Sequence, residues 1–236
     1  MKKALILICA LIAMPMFYAN VSAQDDEDRL IIAGTNDGKV SLEFGTHMGW
    51  GYNIVKTNDF KPSGSGEFFI NILKLNIYPV DFFGIELGID YKTIDFVSKE
   101  DAFYYDGYDS NKIAKVMPYS QKHPGELTKN FSRLRTNTFS APLMVKFSAD
   151  KFKVGAGVEG NLNLTGRIKD KYFQDGKKVK NIDKGIQFNR YSYNFVGGIA
   201  YDGTGLYVKY YPKSSKLMPE GGLDVNFTTI GVIFDF

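Results

Sequence analysis

The sequence predicts an all-β fold: an eight-stranded antiparallel up-and-down transmembrane β-barrel, preceded by a cleavable signal peptide. Three observations predict it. The chain opens with an apolar segment of the kind that directs export. Eight later segments alternate apolar with polar residues. The connections between those segments are alternately short and long.

The first 23 residues have the parts of a secretory signal peptide. Two lysines supply positive charge, an apolar run follows at 4–14, and small residues end at Ala23. We therefore expect cleavage before Gln24. The alternative is a transmembrane helix, which needs about 20 apolar residues. Pro15 interrupts the apolar run too early for that.

The rest of the chain is expected to form a single domain. Residues 24–38 are expected to be a short periplasmic N-terminal segment, and residues 39–236 the outer-membrane barrel. The one cysteine, Cys9, lies in the predicted signal peptide. The exported chain can therefore form no disulfide. We expect a closed ladder of backbone hydrogen bonds in lipid to hold the fold together.

The composition fits strands that cross a membrane. The chain contains 15 Tyr, 19 Phe and 24 Gly without a second long apolar run, as expected where only alternate residues meet lipid. A net charge of +3, with no long basic run, argues against nucleic acid as a partner.

Alternation is clearest at 40–52, where even positions are apolar or aromatic apart from Thr46, and odd positions are small or polar. A period of two indicates a strand. In a membrane barrel the apolar face meets lipid and the polar face lines the lumen. In the second strand, Phe69 and Leu73 are expected on the apolar face, opposite Lys74. The pattern predicts strands at about 40–52, 67–79, 83–97, 133–147, 151–167, 187–201, 204–212 and 224–236.

The connections predict an orientation. Tight turns are expected near 79–82, 148–150 and 202–203, because they contain turn-forming residues. Short periplasmic turns and longer extracellular loops are typical of bacterial outer-membrane barrels. We therefore expect that localisation, with both termini in the periplasm. The longer connections are expected at 53–66, 98–132, 168–186 and 213–223.

Three segments resemble the PorT-like and OmpA-like families of small outer-membrane barrel proteins. They are the strand 139–147 with its Pro-Leu pair, the glycine-rich strand 154–158, and the terminal Phe236. The resemblance covers the whole mature chain. It implies that the barrel-assembly machinery binds the C-terminal strand ending at Phe236. Some PorT-like proteins serve protein secretion, so the resemblance implies an architecture and an assembly route rather than one activity.

The predicted lumen contains charges of both signs in similar number. Eight strands are just wide enough for side chains to fill the interior, and an unpaired buried charge is costly. We therefore expect a polar, plugged lumen; the alternative is a narrow pore. The charged or titratable side chains expected there are Glu43, His47, Lys74, Glu86, Asp90, Lys146, Lys153, Glu159, Arg190 and Lys209.

A lipid-modifying outer-membrane enzyme is another alternative. Ser120, His123 and Glu126 in the loop 98–132 could act as nucleophile, base and acid only if the loop brings them together. No catalytic motif surrounds them, and we find no metal or phosphate motif. We therefore expect no catalytic residue, no cofactor and no metal ion.

The same loop is rich in aromatic residues, and tyrosine suits recognition because it offers a large face with a polar tip. An aromatic girdle at the membrane interface is an equal alternative. We expect a structural, surface-interaction or secretion-associated membrane protein. The partners we expect are outer-membrane lipid and the assembly machinery, and an unidentified protein could bind at the long loops. The aromatic residues concerned are Phe103, Tyr104, Tyr105, Tyr108 and Tyr119.

Overall fold

A computed structural model describes residues 29–35, 38–45, 47–56, 65–99, 102–118, 128–174 and 176–234. The predicted signal peptide and Phe236 lie outside these ranges. The described strands are β1 (Arg29–Thr35), β2 (Gly38–Phe44), β3 (Met48–Lys56), β4 (Gly66–Val80), β5 (Phe83–Lys99), β6 (Ala102–Tyr105), β7 (Lys115–Pro118), β8 (Thr128–Ala149), β9 (Phe152–Gln174), β10 (Lys177–Ile186), β11 (Tyr191–Tyr201), β12 (Thr204–Tyr211) and β13 (Asn226–Phe234).

Eight strands close into a ring, in the order β3, β4, β5, β8, β9, β11, β12 and β13, with β13 pairing back to β3. Every neighbouring pair in the ring is antiparallel. The predicted eight-stranded antiparallel up-and-down fold is therefore confirmed. Within the described residues, no helix is long and apolar enough to cross a membrane.

The first predicted strand is divided into β2 and β3, and both pair with β4. Gly45 lies in the break with a φ of 62°, a left-handed conformation that glycine adopts without steric cost. The break adds one residue, so the register moves from Phe44 opposite Leu73 to Met48 opposite Ile70. β1 pairs with β2, so the segment predicted at 24–38 includes a strand.

The two ends of the barrel differ. The short-turn end carries turns at 81–82, 150–151 and 202–203. Asp150 and Asp202 take left-handed φ values of 53° and 50° there, which aspartate tolerates better than most residues. At the opposite, long-loop end, β8 and β9 continue beyond the ring. β10 pairs with this extension of β9, and β6 and β7 form a separate hairpin. Much of the predicted loops 98–132 and 168–186 is therefore β-structure.

The alternation in β4 reverses once, and this overturns one prediction. A β-bulge lies between Asn71 and Leu73, and such an extra residue exchanges the faces of a strand. Phe69 is consequently only 2% exposed and points into the barrel, on the same side as Lys74. The assignment of Phe69 to the apolar outer face is wrong because period-two counting cannot register a bulge.

The outer surface of the ring is apolar and aromatic on every strand. Its most exposed side chains project away from the barrel and are about 40% exposed or more. They form a band around the barrel, which we call the outer band. Members on each strand in turn include Trp50, Phe68, Leu87, Phe139, Leu143, Val158, Phe195, Leu206, Tyr210 and Ile230.

Candidate functional site

Two lysines and two glutamates fill the middle of the lumen. Lys209 Nζ lies 2.8 Å from Glu67 Oε1 and 3.0 Å from Glu159 Oε2. Lys92 pairs with Glu159 as well and donates a hydrogen bond to the Tyr211 hydroxyl at 2.9 Å. Tyr211 donates in turn to Glu67 at 2.6 Å. These five buried side chains form the central charge cluster, in which two positive and two negative charges balance.

Two ion pairs lie between this cluster and the short-turn end. Lys146 Nζ is 2.6 Å from Glu86 Oε2, and Lys74 Nζ is 2.9 Å from Glu43 Oε2. Each pair joins neighbouring strands, β5 to β8 and β2 to β4. The polar lumen is thus held together across the sheet by complementary charges.

His47 lies at the break between β2 and β3 and is buried. Its Nε2 is 3.9 Å from Asp90 Oδ1, and its ring packs edge-on against Phe69 at 5.9 Å. Asn71 donates a hydrogen bond of 2.8 Å to the same Asp90 oxygen. These contacts make His47 part of the interior packing.

A cavity between His47, Asp90 and Tyr207 has a volume of about 20 Å³. A buried water needs roughly 10–15 Å³ of such space, so this cavity holds about one water molecule. A hydrated ion is larger than that. Around His47, Asp90 and Tyr207 the lumen is therefore packed rather than open.

An apolar plug closes the lumen at the long-loop end. It combines inward-facing residues of the barrel strands with residues from the loops above them. Phe227 stacks on Tyr211 with ring centroids 4.0 Å apart, and Phe96 meets Phe227 edge-on at 5.1 Å. The buried members of the plug are Ile94, Phe96, Tyr104, Ala114, Leu134, Ile168, Ile186, Phe188, Tyr211, Leu217, Met218, Leu223 and Phe227.

Hydrogen bonds join the long-loop segments to one another above the plug. The Tyr104 amide donates to Ser132 Oγ at 2.9 Å, which ties β6 to β8. The Leu223 amide donates to the Ala114 carbonyl at 3.0 Å. Asn189 donates to the carbonyl oxygens of residues 216 and 218, both at 2.7 Å. We call this β6–β7, β9–β10 and 212–225 assembly the platform.

The structure buries most side chains that the sequence assigns to the lumen, but not Arg190. Arg190 lies just before β11, is exposed, and stacks on the Tyr191 ring at 5.8 Å, so its assignment was wrong. Sequence reasoning also missed Lys92 and Glu67. Lys92 continues the inward even positions of β5 and could have been found. Glu67 could not, because the bulge in β4 reverses its face.

The aromatic residues of the loop 98–132 have different roles. Phe103 and Tyr104 are buried, and Tyr104 belongs to the apolar plug. Tyr108 is 68% exposed, with its ring centroid 5.0 Å from that of Tyr105. Most of the described aromatic residues therefore stabilise the platform, and Tyr108 is left on its surface. Tyr119 lies outside the described residues.

The candidate catalytic residues also lie outside the described residues; they are Ser120, His123 and Glu126. Among the residues that are described, no group of three or more His, Cys, Asp or Glu side chains could hold a metal ion. The expectation that the protein is not an enzyme stays a prediction.

No protein-family model matches the sequence, and a search of curated proteins found no match. Among solved structures, one match is the attachment invasion locus protein Ail of Yersinia pestis, in complex with the heparin analogue sucrose octasulfate. The chains are 13% identical, with a TM-score of 0.36, and the match covers 85% of this chain and 99% of that chain. So low a TM-score carries no functional argument, and the fold assignment rests on the strand register itself. The PorT-like resemblance stays a prediction.

We predict that Lys209→Met destabilises the barrel strongly, because Glu67 then loses its lysine partner and Glu159 keeps only Lys92. Breaking a buried ion pair costs about 3–5 kcal/mol. Adding Glu67→Gln removes the excess negative charge and should restore at least half of the lost stability. Urea unfolding of detergent-solubilised protein, followed by Trp50 fluorescence, measures both effects. Equal stability of the single variant and the wild type would show that the cluster is not a stabilising element.

Proposed function

We propose that the chain is an integral outer-membrane barrel that does not conduct ions and that holds the platform at the cell surface for interaction with other molecules. The observation that carries the proposal is an apolar outer band around an interior that is filled. The long loops are then extracellular, and the three tight turns face the periplasm.

The outer band supports the membrane part of the proposal. Soluble monomers rarely expose contiguous apolar patches larger than a few hundred Å², whereas this band runs round the whole ring, with Trp50 at 59% and Leu206 at 56% exposed. A closed ring also pairs the backbone groups that an open sheet edge would leave unpaired in hydrocarbon. Lipid is therefore the natural surrounding for this surface.

The filled interior supports a non-conducting barrel over the narrow pore. A permeant ion would have to pass the central charge cluster, in which Lys209 binds Glu67 at 2.8 Å and Glu159 at 3.0 Å, and Lys92 pairs with Glu159. It would then meet the apolar plug, which offers no ligand to replace water. Both barriers lie in series along the same axis.

The platform supports a role at the surface. It is a folded body of strands with its own apolar contacts: Phe103 packs with Tyr172, and Tyr105, Met117 and Val179 surround them. The side chain of Tyr108 is exposed on the surface of the platform. A platform that is folded before binding lowers the ordering cost of binding a partner. Within the part of the chain that the structure describes, no contact indicates a role in secretion or catalysis.

The absence of conductance is tested in planar lipid bilayers. We predict no discrete current steps from refolded protein at ±100 mV, a voltage chosen as roughly physiological, because the plug and the charge cluster both block the lumen. Insertion is verified separately by protease protection in vesicles, so that a failure to insert is not mistaken for an absence of conductance. Reproducible single-channel steps from inserted protein would contradict the proposal.

The orientation is tested with single cysteines, since the predicted mature chain has none of its own. Tyr108→Cys on the platform should react with a membrane-impermeant maleimide on intact cells. The matched control, Asp202→Cys in a tight turn, should react only after the outer membrane is permeabilised. The reverse labelling pattern, or labelling of both sites on intact cells, would overturn the proposed orientation.

A further inference from the structure

Beyond the ring, the sheet formed by β5, β8, β9 and β10 has a strongly basic outward face. Strand alternation and register place eight cationic side chains of the described residues on this one side. Asp95 is the one acidic residue on the described part of the same side. We call this side the basic face; its cations are Arg133, Arg135, Arg167, Lys169, Lys171, Lys178, Lys180 and Lys184.

The strand pairing sets these cations directly against one another. Cross-strand partners have Cβ atoms about 4.5–5.5 Å apart, and like charges in that position are destabilising. The separation is shorter than the roughly 8 Å Debye length of physiological salt, so screening does not remove the repulsion. The register pairs Arg133 with Lys169, Arg135 with Arg167, Lys171 with Lys180, and Arg167 with Lys184.

Neutralisation within the described part of the face is incomplete. Asp95 accepts two hydrogen bonds from Arg135, at 2.6 and 2.5 Å, and lies 3.6 Å from Arg133 Nη1. The lysines of β9 and β10 are not part of this arrangement. Their crowding lowers the pKa of Lys169, chiefly through the positive charge of Lys171. The face therefore carries excess positive charge that an anionic ligand could balance.

The basic face begins just beyond the outer band. Tyr91 and Phe139 pair at the upper edge of that band, with ring centroids 5.7 Å apart. Arg135 lies four residues further along β8, which is about 13 Å of strand, and Arg167 lies three residues beyond Leu164 on β9. The headgroup layer of a bilayer adds several ångströms to each side of its hydrocarbon core. Long cationic side chains at this height reach that layer.

The opposite face of the same sheet is covered. Tyr104 of the β6–β7 hairpin donates to Ser132 there, and Leu134 and Ile168 are buried in the apolar plug. Only the outward side is open to a ligand. It faces sideways, in continuation of the lipid-contacting surface, rather than up towards the medium.

We propose that the basic face binds the phosphate groups of an anionic glycolipid in the outer leaflet. This inference rests on the proposed function, because such a lipid adjoins the face only if the barrel spans the outer membrane with its platform outside. Arginine suits phosphate through bidentate hydrogen bonds, and lysine through a compact charge. The sideways orientation favours a lipid over a soluble sulfated polysaccharide.

The test compares the affinity of the full mature barrel for phosphorylated lipid A and for dephosphorylated lipid A, measured by native mass spectrometry from detergent micelles. The variant Lys169→Gln/Lys171→Gln should bind the phosphorylated lipid roughly 25-fold more weakly, the combined effect of two cations near an anionic surface. The matched control Lys213→Gln/Lys216→Gln, in the loop after β12, should stay within about twofold of wild type.

The unfolding temperature provides a second readout. If the lysines had a structural role, their replacement would lower it. Removing opposed like charges should leave the unfolding temperature of Lys169→Gln/Lys171→Gln unchanged or raised. The variant Lys180→Gln/Lys184→Gln, on the exposed strand β10, should weaken lipid binding in the same way. Loss of binding without loss of stability supports the inference.

Three outcomes overturn the inference while leaving the membrane barrel intact. They are equal affinity for both forms of lipid A, equal weakening by the control variant, and tighter binding of a soluble sulfated polysaccharide than of phosphorylated lipid A. Insertion into phosphatidylcholine vesicles is measured independently by protease protection. Failure to insert would overturn the proposed function itself.

Discussion

Charge balance in a narrow lumen is the constraint on which the rest of this structure depends. An eight-stranded ring leaves just enough interior for side chains, so every charge placed there must find a partner in the same small volume. Lys209 meets this requirement by binding Glu67 and Glu159 together, from strands on different sides of the ring. The cluster therefore connects the wall across its interior, in addition to the hydrogen bonds that run round it.

The same constraint explains the division of the lumen into two parts. Ion pairs and amides occupy the part between the short turns and the central charge cluster, where inward residues of neighbouring strands are complementary. Above the cluster, Tyr211 contacts both parts: its hydroxyl donates to Glu67, and its ring stacks on Phe227 in the apolar plug. The plug supports the platform from below. In the proposed orientation, the central charge cluster and the apolar plug separate the periplasm from the cell surface without a channel between them.

Much of the ring could be predicted from the sequence, because alternation and turn residues are local signals. The bulge at Asn71 could not be predicted, because it gives no local sequence signal. The inward positions of Phe69 and Glu67 were missed as a result. The apolar plug was also missed, because Leu217, Met218 and Leu223 lie in a loop without periodicity and meet the plug only through long-range packing. Tyr104 was misjudged for the same reason. A tyrosine in a long loop suggested a binding surface, but long-range packing buries this one.

The central claim is that the outer band lies in lipid, and the single tryptophan of the chain tests it most directly. Trp50 projects from β3 into the outer band and is 59% exposed. In vesicles of lipids with brominated acyl chains, its fluorescence should be strongly quenched, while aqueous iodide should have little effect. Quenching by iodide, with no response to the brominated lipids, would place Trp50 in water and contradict the account.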